Sequence, residues 1–221
     1  VGDENGDFNP DQNVTRNEMA VVMCNLMDYT VASYKGTSPF TDVPEWAEPY
    51  VAACYTNGLT AGTSATTYGP ALNITRGDFI LMLYRAFNLS ANTTDGFKDV
   101  PSDSYYAQAI AVAKALGIAQ GSDDGRFNPT APLTREDAMV FLYRTLNRTG
   151  RTIASASASY LNRFSDGSST SSYAQDSVAA LAQAGIIQGD TNGRLRLSDP
   201  RRDGRYPPPG PHTVTIVTAP F

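Results

Sequence analysis

The chain has 221 residues, 41% hydrophobic and 18% charged, with a formal net charge of −5. That is an ordinary globular composition, long enough for one sizeable core or two small ones. The acidic balance argues against a general nucleic-acid binder, and no apolar run of about 18 residues is present to span a bilayer.

Residues 1–13 are expected to form a tight turn and an extended piece, because Asp3-Glu4-Asn5-Gly6-Asp7-Phe8-Asn9-Pro10 carries a central Asn-Gly. A first helix is expected over about 15–28. Thr15 precedes it and Glu18 stands three residues on, a capping box that satisfies backbone N–H groups at the helix start. Met19, Val22, Met23, Leu26 and Met27 fall on one helical face. Arg16 occupies the first helical position, where capping requires no cation and the helix dipole mildly disfavours one. It is therefore a candidate functional residue.

Phe40-Thr41-Asp42-Val43-Pro44 then leads into Trp46-Ala47 and a helix running to about Asn57. Gly58 ends it as a left-handed cap. Gly62 follows, at a place that asks either for a turn or for a wall that a ligand approaches closely. The loop from Gly62 to Pro70 lacks the acidic turn seen elsewhere. Ile74-Thr75-Arg76-Gly77-Asp78-Phe79 opens a second capped helix with Phe79, Met82, Leu83, Ala86 and Phe87 in the same phase. Phe97-Lys98-Asp99-Val100-Pro101 precedes Tyr105 and a helix ending at Gly117-Ile118, with Gly121 beyond it.

The acid-rich glycine turns at 123–129 and 190–195 look like calcium loops. They lack the closing bidentate Glu and read as turns. Leu133-Thr134-Arg135-Glu136-Asp137-Ala138 opens a third capped helix, with Ala138, Phe141, Leu142 and Leu146 as its stripe and Thr145 interrupting it. A Ser/Ala-rich stretch over 149–163 reads as a linker. Phe164-Ser165-Asp166, Tyr173 and Gly185-Ile186 then repeat the aromatic-opened helix. Cys24 and Cys54 lie in apolar helical patterns and read as small buried hydrophobes rather than a disulfide or metal pair.

The Thr-Arg pairs begin at 15, 75 and 134, spacings of 60 and 59. Trp46, Tyr105 and Tyr173 each stand 12 residues before a glycine, and Gly2, Gly62 and Gly121 each stand 13 before a threonine. Together with Phe-x-Asp-Val, Gly-Ile and Thr-Arg-x-Glu, these features resemble the S-layer homology repeat. The resemblance covers most of residues 1–200. It implies an all-α, pseudo-threefold domain with a central three-helix bundle, short outer helices and glycine-rich hairpin turns.

It also implies a noncatalytic bacterial cell-wall anchor, extracellular, that binds a secondary cell-wall polysaccharide bearing a pyruvylated amino sugar. A pyruvate ketal places a carboxylate on a sugar, and arginine offers a planar fork of donors to hold it. The resemblance makes Arg16, Arg76 and Arg135 the charge partners, Gly62 and Gly121 close-approach walls, Asp42 and Asp99 nearby polar groups, and Trp46 a sugar-facing aromatic. On their residue types alone, Trp46 and its equivalents Tyr105 and Tyr173 could be core, the aspartates could cap the turns that follow them, and the arginines could sit in a solvated network of acids. The other function class is a structural or protein-interaction module that meets other S-layer proteins without binding glycan. No cofactor or metal is expected. An enzyme finds little support: the single histidine, His212, lies in the tail, and no nucleophile has a base partner by motif.

The repeat phase is offset. Residues 1–34 read as the second half of a repeat, 35–92 and 93–148 as whole repeats, and 164–200 as a first half. The chain thus opens inside a repeat and reads as processed or partial. The last half-repeat is expected to fill the place of the missing first half and close the ring. Residues 201–221 are expected to be an irregular tail, with Arg202-Asp203 where the spacing calls for Thr-Arg, then Pro207-Pro208-Pro209. A frame change in the coding sequence would account for it.

Overall fold

The computed structural model describes residues 10–164, 166–189 and 195–197. The first turn, the 190–194 turn and the tail fall outside them. The described residues fold into α1 (Arg16–Leu26), α2 (Glu48–Thr56), α3 (Arg76–Ala86), α4 (Ala107–Ala115), α5 (Arg135–Arg148) and α6 (Gln175–Gln183). Two three-residue strands, β1 (Ile187–Gly189) and β2 (Leu195–Leu197), pair antiparallel with Ile187 opposite Leu197. Apart from this short hairpin the described residues are helical, the all-α fold that the resemblance implies.

α1, α3 and α5 begin with the expected threonines in extended backbone, and each hydroxyl accepts from the N–H three residues on. Only α1 closes the full box, because Glu18 reaches back to the Thr15 N–H at 2.8 Å. Asp78 and Asp137 do not. Their side chains are one methylene shorter, and their carboxylates bind Tyr105 of the same lobe, in the case of Asp78, and Arg76 of another lobe, in the case of Asp137. α2, α4 and α6 have no side-chain cap. Each is followed by a left-handed glycine, Gly58, Gly117 or Gly185, at φ +70°, +71° and +75°.

Each capped helix packs on the aromatic-opened helix that follows it: α1 on α2, α3 on α4, α5 on α6. α3 also touches α5. α6 holds on α5 the position that α2 holds on α1. The Ser/Ala-rich stretch, expected to be a linker, forms a 3-10 helix over Ala158–Arg163 with Leu161 buried against α6. Thr145, which interrupts the α5 stripe, is fully buried and donates its hydroxyl to Phe141 O at 2.8 Å.

The helix entrances interlock. Val14 N donates to Leu133 O (2.9 Å), Leu133 N to Ile74 O (2.9 Å) and Ile74 N to Val14 O (2.8 Å), a closed cycle of backbone bonds among buried residues. A second tier runs Arg16 N to Leu72 O, Arg76 N to Ala131 O and Arg135 N to Gln12 O. A third runs Asn17 N to Pro70 O, Gly77 N to Pro129 O and Glu136 N to Pro10 O. The first N–H groups of a helix have no intrahelical acceptor. Here the neighbouring lobe supplies one. The cycle is closed by the N-terminal segment meeting the α5 entrance.

Candidate functional site

The first helical position of α1, α3 and α5 carries the three arginines, and the interlocked entrances fix where they point. Arg16 donates Nε to Tyr68 O (3.0 Å) and Nη2 to Ala61 O (2.6 Å), and its Nη1 stands 4.0 Å from the Asp78 carboxylate. Its guanidinium lies over the Tyr68 ring, 4.5 Å from the centroid. Arg76 donates Nε to Phe127 O (3.0 Å), pairs through Nη1 with Asp137, and lies over Phe127 and Phe141. Arg135 places Nη2 3.3 Å from Glu18.

The ion pairs form a cycle, α1 to α3, α3 to α5, α5 to α1, in the sense of the second and third tiers of backbone bonds and opposite to the first. The arginines are not turned outward into open clefts. Their side chains are 12%, 16% and 2% exposed, and each lies along a neighbouring lobe. The arginines pair with acids of neighbouring lobes, and this network is largely buried rather than solvated. The physical reason is that a cation at a helix N-terminus faces the like-signed dipole end. The cap acid of the next helix offsets it.

Asp42 and Asp99 do not cap their own turns. Asp42 accepts from Tyr68 N (2.7 Å) and Gly69 N (2.8 Å), and Asp99 from Phe127 N (2.9 Å) and Asn128 N (2.7 Å). Each clamps the loop whose carbonyl holds the arginine Nε. Desolvation would raise these carboxyls, but the two backbone N–H groups outweigh it and hold both below the ordinary aspartate value.

Gly62 and Gly121 have ordinary negative φ. A Cβ on Gly62 would stand 2.4 Å from Phe40 Cε1 and from Ser64 O, and one on Gly121 2.8 Å from Arg126 O and Phe97 Cε1. Packing against their own loops thus requires both glycines.

Trp46 is 58% exposed, so it is not core; its counterparts Tyr105 and Tyr173 are 70% and 54% exposed. Tyr105 donates its hydroxyl to Asp78 (2.6 Å), the partner of Arg16. Tyr173 donates to Glu136 (2.9 Å) and Asp137 (3.0 Å), the latter the partner of Arg76. Burial and then the adjoining carboxylates push both phenols well above their ordinary value.

Sequence reasoning missed Tyr105, Tyr173, Tyr68 and Glu136 as members of this constellation. The constant aromatic-to-glycine spacing could have found the first two. An open groove of about 850 Å³ lies elsewhere, at the ends of α2 and α3. Tyr55, Asn57, Thr60, Tyr84 and Arg85 line it, and none of the eight candidate residues borders it.

A repeat-built helical module, locked at its helix entrances by arginines and flanked by exposed aromatics, is the class these features define. The chain belongs to the S-layer homology domain family, whose model matches residues 1–20, 39–80, 96–139 and 163–196. It is similar to an endoglucanase of Bacillus sp. (strain KSM-635), 32% identical over 167 residues, which cover 74% of this chain and 17% of that protein. It is also similar to the surface-layer 125 kDa protein of Lysinibacillus sphaericus, 32% identical over 158 residues (68% and 13%). An S-layer protein of Bacillus thuringiensis subsp. finitimus is 25% identical over 158 residues (70% and 19%).

The chain thus spans less than a fifth of each of these relatives. Membership makes it a cell-wall anchoring or surface module, noncatalytic in itself and associated with the cell surface or wall. Among the described residues, no helix is long and apolar enough to cross a membrane.

Proposed function

We propose that this chain holds an anionic secondary cell-wall polysaccharide, with a pyruvylated amino sugar as its charged unit, in clefts between its repeats. The observation that carries this is the loose pair at α1. Arg16 Nη1 is 4.0 Å from Asp78, beside a tyrosine ring that is 70% exposed. A ketal carboxylate has the charge and planar shape of the Asp78 carboxylate and competes for the same guanidinium edge. The sugar ring packs on the apolar face of Tyr105.

Arg76 with Tyr173 offers a second site, closed by a tighter pair with Asp137. Arg135, nearly buried against Glu18, is the weakest of the three. Trp46 is the corresponding aromatic ahead of α2. Asp42 and Asp99 act by holding in place the loops whose carbonyls receive Arg16 and Arg76, and Gly62 and Gly121 let those loops close. The completeness of the arginine–acid cycle favours a second reading, in which the cycle is purely structural and the surface meets other S-layer chains.

Sedimentation of the purified chain with cell walls, before and after extraction of the secondary polymer, separates the two. Binding is expected to vanish on extraction. The double variant Arg16→Lys, Arg76→Lys keeps the charges but loses the forks and their bonds to Tyr68 O and Phe127 O, so it should melt lower, stay folded at the assay temperature and bind at least about tenfold more weakly. Unchanged binding of that folded variant would transfer the function to protein contacts.

A further inference from the structure

Two thiols are the reactive groups that the anchoring site does not use. Cys24 lies on α1 and Cys54 on α2, the two helices of the first lobe. Both are fully buried and free, and their sulfurs stand 3.6 Å apart. Their remaining polar contacts are weak ones, Cys24 Sγ to Tyr50 O (3.3 Å) and Cys54 Sγ to Ala20 O (3.6 Å). Sequence pattern alone made each a small hydrophobe, since α1 and α2 are separate in the chain. Packing puts them face to face.

We propose that Cys24 and Cys54 form a disulfide in the mature protein at the cell surface, cross-linking α1 to α2. A disulfide needs about 2.05 Å between sulfurs, and about 1.5 Å of closure lies within a modest rotation of the two side chains. Neither residue has unusual backbone to resist it. Thiols outside the reducing cytosol meet oxidants, and a pair already in contact is the kind that persists as a bond.

The oxidant is a small-molecule or enzyme disulfide. One cysteine thiolate attacks it and expels one thiol, and the second cysteine displaces the other. Two thiols and one disulfide become one protein disulfide and two thiols, with both protons carried off by the leaving groups. In the finished core, hydrogen bonding to Cys24 and burial hold the Cys54 thiol well above its ordinary value. A buried thiol is a poor nucleophile, so the bond forms while the lobe folds. It closes the loop from 24 to 54, which narrows the unfolded ensemble.

The full chain is to be reduced, unfolded, and refolded in a mixture of reduced and oxidised glutathione. It is then quenched with iodoacetamide in denaturant, so that buried thiols are reached, and weighed intact. The expected product is a monomer lighter by two hydrogens and without adducts, melting about 5–10 °C above the same protein kept reduced. A Cys54→Ala variant should carry one adduct and melt at the same temperature with and without the oxidant. Two alkylated or glutathionylated cysteines, a disulfide-linked dimer, or equal melting of the oxidised and reduced chains would overturn the proposal.

Discussion

Arginine at the first position of a helix is the oddity from which the function was argued. Its environment shows that the oddity has a structural answer as well. Arg135 is 2% exposed against a Glu18 that is 20% exposed, so one partner of the pair is desolvated and the other only partly. Breaking such a pair costs more than its formation contributes, because it strands a charge. Tyr68 shows the same economy of contacts at a neutral group. Its hydroxyl donates to Arg16 O at 3.2 Å, and its ring carries the guanidinium. Burial pushes this phenol up to about 12, against the pull of the Arg16 charge. A phenol raised in the folded state stabilises the fold fully below its unfolded value near 10. That contribution is lost as pH rises from there through 12. Tyr68→Phe should therefore cost about 1 kcal/mol at neutral pH and progressively less above pH 10. Urea midpoints across that range test it. A constant difference between the two proteins would exclude the linkage.

Among the elements, the glycines divide into two physical kinds. Gly58 sits at φ +70° with nothing within 4 Å of where its Cβ would be. Gly62 has no unusual φ, yet its Cβ would meet backbone oxygens at 2.4 and 2.6 Å. Gly58→Ala should then cost about 1 kcal/mol, the strain of a left-handed alanine. Gly62→Ala should cost more, because Ser64 O and Thr67 O belong to backbone that cannot turn aside. Chemical denaturation of the pair measures it. Equal losses would mean that the loop over 63–67 yields easily. The caps divide similarly: Glu18 is long enough to return to Thr15 N, and the two aspartates are not.

At the scale of the molecule, three tiers of backbone bonds tie the entrances of α1, α3 and α5 into one closed unit. α6 completes the α5 lobe with Val178 and Leu181 buried, and Leu161 is buried against it. Ser171 and Tyr173 add hydrogen bonds to Glu136. Ending the chain at Gly150 removes all of these. Three buried aliphatic side chains are worth about 6 kcal/mol, a figure comparable to the whole stability of a domain. The shortened chain should lose its cooperative melt by calorimetry. An unchanged transition would show that the last half-repeat is dispensable to the fold.

Local chemistry was legible in the chain: the Thr-Arg-x-acid starts, the glycine stops, the helical stripes and the repeat length all describe interactions within a few residues of one another. So was the family, since those features recur in fixed order. The pairing of Arg16 with Asp78, Arg76 with Asp137 and Arg135 with Glu18 was not, because each joins groups from different repeats. Nor was the reach of Asp42 to the Tyr68 loop, the exposure of Trp46, or the meeting of Cys24 with Cys54. One-dimensional spacing says which residues are equivalent. Only the packed lobes decide which equivalent residues touch.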